Sequence, residues 1–256
     1  MKQYVLVILT LFSISVFAQK SIKITYEQKI VYSDSFFNQL PEEDREGFRT
    51  VLSKPNKFEL INNGDFSLFK SVNLKEEVIV SKEKNTPTYT NAGTFFKPFK
   101  VWVLKDFTKQ LSVESAEVDD NEYYIEVPFA KDELHYDKKT KAIDGYTCKS
   151  AYAMTAANDT IQYWYTQEIP VIDGPFSMNS IPGLVLSVES KKKVIYVTKI
   201  EFFDKKIQLE SVPAKASFIT KEKLNKMKIE ALKPKSYTDE SGAKHETYSV
   251  HIKADN

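Results

Sequence analysis

SIKITYEQKIVY, residues Ser21 to Tyr32, decides the fold class. Ile22, Ile24, Tyr26, Ile30 and Tyr32 fall on one side of an extended chain, interrupted only by Gln28. Lys23, Thr25, Glu27 and Lys29 fall on the other side. A period of two belongs to a strand with one dry and one wet face, the pattern of an antiparallel sheet.

Upstream of this strand, MKQYVLVILTLFSISVFAQ sets Lys2 before an apolar run from Tyr4 to Phe17. Val16-Phe17-Ala18 then offers small residues where a signal peptidase reads them, so residues 1–18 read as a secretory signal peptide. The expectation is export, to the periplasm, the outer membrane or the medium, of a single β-rich domain spanning residues 19–256. The net charge of +1 gives no electrostatic footprint for nucleic acid. Cys148 is the only cysteine, so no disulfide forms within the chain.

Downstream, SFFNQLPEEDREGFRTVL changes period, and Pro41 followed by acids predicts a helix over residues 41–52. Strands then resume. KFELINNGDFSLFKSV reads as a hairpin turning at Asn63-Gly64, and EEVIVS as a further strand. Two more strands join near Lys105-Asp106, followed by EYYIEVP and ELHYD. A long hairpin turns at Ala157-Asn158-Asp159, with Tyr146, Cys148, Ser150, Tyr152 and Met154 alternating along its first arm. In GLVLSVESKKKVIYVTKIEFF, Leu184, Leu186 and Val188 are expected to face one way. Thr220 caps a second helix carrying Leu224, Met227 and Ala231, and Pro234 ends it. Many strands on short turns and two short helices predict a mainly β protein: an antiparallel, strongly curved sheet or open barrel.

GPFSMNSIPGLVLSV, Gly174 to Val188, is the most punctuated stretch. Ile181-Pro182-Gly183-Leu184 has the composition of a type II turn, and Gly174-Pro175 makes another bend before it. Val171, Ile172, Phe176 and Met178 predict that the loop packs down on the sheet as a built corner of the fold.

SIPGLV (Ser180–Val185), KAIDGYTCKSA (Lys141–Ala151) and YWYTQEIPVIDGP (Tyr163–Pro175) together resemble the GLPGLI family of exported bacterial proteins of unknown function. The family motif would comprise Gly145, Tyr146, Cys148, Gly174, Pro175, Pro182, Gly183 and Leu184. Ser180 departs from the family's first glycine, so that position needs no positive φ here. The resemblance implies an exported β-rich protein and transfers no catalytic residue.

The residues themselves assign no catalytic set, no metal ligands and no cofactor. His135, His245 and His251 lack short ligand spacing. Cys148, mid-strand among Tyr and Met, reads as a small buried hydrophobe. The acids Glu114, Glu117, Asp119, Asp120 and Glu122 lack the glycine of a Ca²⁺ loop and read as a solvated turn. The Lys-rich segment 215–235 reads as a helix docked on the sheet with its lysines in water, and peripheral membrane contact is its alternative. YWYTQE is the candidate binding site: Tyr163 and Tyr165 share one face, Trp164 takes the other, and Glu168 follows.

The expected function is a non-enzymatic binding or accessory protein of the cell envelope, holding an apolar small molecule in a barrel cavity or meeting an envelope protein. Two alternatives stand beside it: a hydrolase or metal-dependent enzyme on unrecognised residues, and an interaction module using a strand edge.

Overall fold

The structure, a computed structural model, describes residues 21–38, 40, 42–72, 78–79, 95–96, 100–130, 133–233, 235–238, 242 and 244–247. The signal peptide, Pro41, Pro234 and His251 lie outside them. In chain order the elements are β1 (Ser21–Ile30), α1 (Asp34–Asn38), α2 (Glu42–Ser53), β2 (Asn56–Asn62), β3 (Phe66–Val72), β4 (Val78–Ile79), β5 (Phe95–Phe96), β6 (Trp102–Asp106), β7 (Leu111–Val118) and β8 (Asn121–Pro128). There follow β9 (His135–Ile143), β10 (Tyr146–Met154), β11 (Thr160–Thr166), β12 (Leu184–Glu189), β13 (Lys193–Phe203), α3 (Lys221–Ala231), β14 (Lys235–Thr238) and β15 (Lys244–Thr247).

Eleven strands form one antiparallel sheet in the order β8-β7-β6-β3-β2-β1-β13-β12-β11-β10-β9. The alternating strand β1 lies at its centre, paired with β2 on one side and β13 on the other. The two edge strands are consecutive in sequence, with β8 ending at Pro128 and β9 starting at His135. Seven Cα steps reach at most about 25 Å. Ten strand spacings laid flat would separate the edges by about 48 Å. The sheet is therefore strongly curled, and its edges approach without closing into a hydrogen-bonded barrel.

One face of the sheet is the main core. Ile24, Tyr26, Leu60 and Phe69 are fully enclosed there, with Phe58, Val103 and Ile195 beside them. Each such large apolar side chain contributes roughly 1.5–3 kcal/mol through burial. Gln28, which interrupts the apolar set of β1, is buried with them and accepts a hydrogen bond from Asn56 Nδ2 at 3.1 Å.

At the β8 end, the chain after β13 packs Leu209, Val212 and Ala216 against Leu68, Trp102, Val113 and Tyr124 on the opposite face. It then runs beside β8, where Tyr124 and Phe218 form a parallel bridge that covers this edge. Beyond the edge, α3 sets Leu224 and Ala231 against Val118 and Ile125, with Met227 packed alongside. Its N-cap is Thr220, whose hydroxyl accepts from the Lys223 N–H. Lys221, Lys223, Lys226 and Lys228 are exposed.

Several local expectations need correction. Among the described residues the five-residue α1 joins the two expected helices, and the helix expected over residues 41–52 is described over Glu42–Ser53. The β2–β3 turn places the positive φ on Gly64 and not on Asn63, whose side-chain oxygen instead accepts from the Phe66 N–H. Asp144-Gly145, for which no turn is expected above, is a two-residue turn between β9 and β10 with φ +50° and +82°. Leu184 to Val188 do not alternate: a bulge opposite Trp164 and Tyr165 shifts the register of β12, and all five are buried.

Candidate functional site

Lys105 on β6 falls in a row that crosses four strands on the core face: Asn62 pairs with Ser67, Ser67 with Lys105, and Lys105 with Ser112. All four are buried. A lysine in such a place needs partners for its charge and its three N–H groups. It finds them on the loop between β11 and β12. Its Nζ donates to the Asp173 carboxylate, to the Gly174 carbonyl at 2.7 Å and to the Met178 carbonyl at 3.2 Å. Asp173 also accepts from Asn62 Nδ2 and from the Gly174 N–H, both at 2.8 Å. Burial pulls the Lys105 pKa below the usual lysine range, against the opposing pull of the Asp173 and Glu114 carboxylates.

The same loop is fastened by packing. Phe176, at φ +54°, rests on Phe69 and Phe58 with ring centroids 5.0 and 6.1 Å away. Positive φ at a bulky residue is a strained conformation that such packing sustains. Tyr26 Oη donates to the Val185 carbonyl at 2.7 Å from the sheet side. A Cβ on Gly174 would stand 2.9 Å from Val185 Cβ, and one on Gly183 would stand 2.3 Å from the Thr166 carbonyl oxygen. The Gly183 N–H donates to the Ile181 carbonyl at 2.8 Å, which makes the bend a three-residue turn about Pro182 instead of the expected type II turn. Gly183 is thus required by the close approach of β11. Pro175 and Leu184 are buried in this corner, and the Pro182 carbonyl accepts from Gln167.

The candidate aromatic residues divide between the two faces. Tyr163 and Tyr165 lie on the core face, where Tyr165 is buried edge-on against Tyr136 at 6.4 Å. Trp164 lies on the opposite face, and Glu168 is exposed beyond the strand, accepting from the Thr147 N–H. Tyr146 is half-buried, packed against the core cluster, and Gly145 sits in its turn with open space around it.

Trp164 has a polar setting that the sequence did not disclose. Lys141 Nζ lies 4.3 Å from the ring centroid and 2.5 Å from Glu189 Oε1. Burial works to raise the Glu189 pKa, but Lys141, the Trp164 indole and Ser187 together hold it below the usual carboxylate range. The indole N–H meets no acceptor at hydrogen-bonding geometry, so its effect on Glu189 is one of proximity. Gln162 Nε2 donates to Ser150 Oγ at 2.5 Å and to the Ala151 carbonyl at 2.7 Å on the same face.

Other candidates are placed elsewhere. Cys148 is buried, and burial pushes its thiol up to about 11. His135 stacks on Tyr152 at 5.1 Å, and His245 lies on β15. Asp119 and Asp120 form the positive-φ turn between β7 and β8. Among the described residues no three His, Cys, Asp or Glu side chains gather as a metal site would require. A surface hollow of about 380 Å³ is lined by Ile30, Val31, Tyr32, Phe37, Arg49, Leu52 and Ser53, none of them on the Trp164 strand.

These features define an open, curled β domain whose corner loop is locked onto the sheet. A family model described as "N-glycanase peptide, N-terminal domain" matches residues 72–226, and the chain belongs to that family. Two solved structures of PNGF-II, in space groups P21 and C2, superpose with TM-scores of 0.56 and 0.52 at 16% and 18% identity. Each match covers 86% of this chain and 35% of the PNGF-II chain, so this chain spans about a third of that length. No curated protein matches.

The family match overturns two expectations. It replaces the GLPGLI resemblance over the very segment that carried it. A Pro-Gly bend packed under a neighbouring strand is a geometric solution that unrelated β proteins reach for the same steric reason, so its residues specify a corner and not an ancestry. The match also replaces the non-enzymatic carrier of an apolar molecule, and favours the alternative of a hydrolase-related protein.

Proposed function

We propose that this chain works in the hydrolytic removal of N-linked glycans, and that its own part is to engage the glycan-bearing protein. The observation that carries this reading is the family match over residues 72–226, which takes in Lys105, the locked corner and the Trp164 strand. The locked corner supports it physically. A loop held by a buried ion pair and by the close contacts of Gly174, Gly183, Phe176 and Tyr26 keeps the strands beside it in one geometry, as a recognition surface requires. Export through residues 1–18 fits the same reading, because it would bring the domain to glycoproteins outside the cytoplasm.

Released-glycan mass spectrometry tests it. A glycoprotein is incubated with this chain alone, and with this chain plus an N-glycanase stripped of its own N-terminal domain. Free glycan above the chain-free control in either reaction supports the reading; none in both rejects it. Fractionation of the producing cells tests the export.

A further inference from the structure

The face of the sheet opposite the main core carries a row of residues that pair across six strands. Ser150 on β10 lies beside Trp164 on β11, Trp164 beside Ser187 on β12, and Ser187 beside Tyr196 on β13. Tyr196 lies beside Glu27 on β1, and Glu27 beside Lys57 on β2. The row contains one arrangement twice. Trp164 has Glu189 and Lys141, with the ammonium over the indole and paired with the carboxylate. Tyr196 has Glu27 and Lys29, its hydroxyl donating to Glu27 Oε2 at 2.9 Å and Lys29 Nζ lying 5.7 Å from the ring centroid. The two rings stand two strands apart, about 10 Å.

Each unit offers what a pyranose uses: a ring face for C–H groups, flanked by a carboxylate acceptor and an ammonium donor for hydroxyls. Two units at this spacing suit a chain of sugars lying across the strands better than a single compact ligand. Trp164 is itself buried and Lys141 covers its ring; Lys141 sits on the edge strand β9 and its ion pair with Glu189 is partly exposed, so swinging it aside to uncover the ring costs little. The segment after β13 packs its apolar side chains against β3, β6, β7 and β8, towards the other end of this face.

We infer that this row, from Trp164 to Tyr196 with Glu189, Lys141, Glu27 and Lys29, is an oligosaccharide-binding strip. The inference rests on the reading that the chain engages glycans, and names where it does so.

Isothermal titration of the full chain with a free oligomannose N-glycan tests it. Wild-type protein binds, and Trp164→Ala and Tyr196→Ala each weaken binding by about tenfold or more, the loss typical of one desolvated aromatic contact. Should Trp164→Ala fail to fold, Glu189→Gln, a surface substitution, carries the same test through its carboxylate. Binding that is equal in wild type and in these variants overturns the strip and leaves glycan engagement standing. No binding by the wild type overturns both.

Discussion

The Lys105 ammonium is wholly buried against the Asp173 carboxylate, 68 residues further along the chain. One residue belongs to the sheet and the other to the corner loop, so this pair fixes the loop's position over the core. A buried pair of this kind resists loss of one partner more than loss of both, because a lone buried charge keeps its desolvation penalty. Lys105→Met is expected to lower the unfolding free energy by about 3–5 kcal/mol. The double variant Lys105→Met with Asp173→Asn is expected to recover a large part of that. Urea denaturation of the three proteins measures both; a single variant as stable as wild type would refute the clamp.

This clamp was not legible in the sequence. Lys105 sits in WVLKD, whose alternation does place it with Val103 on the core face, but a lysine beside an aspartate reads as the start of a turn. Its partners come from another element, and no local pattern connects them. What was legible rests on local physics: the alternation of β1, the Thr220 cap, and the opposed faces of Trp164 and its two tyrosine neighbours. The Asp144-Gly145 turn was legible and missed, although Asp-Gly is among the strongest hairpin signals. Contacts of Trp164 with Lys141 and Glu189 depend on the register of four strands and on a bulge, which residue pattern does not encode.

Two glycines separate steric need from conformational need. Gly183→Ala would drive a Cβ into the Thr166 carbonyl, a backbone atom that cannot rotate away. Gly145→Ala meets nothing within 4 Å and suffers only its positive φ of +82°. The second change is expected to cost about 1–2 kcal/mol, and the first clearly more. Thermal unfolding of both variants decides it; an equal loss, or a milder effect at Gly183, would show that the corner is not packed against β11 as described.

Cys148 gives a pH-dependent readout of the core. Burial raises its thiol to about 11, above the ordinary cysteine value, so the folded state disfavours the thiolate. With the folded pKa raised, the contribution to stability is complete below the unfolded value, near 9, and is lost as the pH rises from there through about 11. Native protein at pH 8 is expected to resist iodoacetamide, while protein in urea is alkylated readily. Equal labelling rates in the two states, followed by mass spectrometry, would place Cys148 at the surface.

The central claim is that this domain engages the glycan of a glycoprotein. Biolayer interferometry against one immobilised glycoprotein, before and after removal of its N-linked glycans, tests it most directly. Binding that is present before removal and lost afterwards is the predicted result; binding indifferent to the glycans, or none to either surface, would contradict the account.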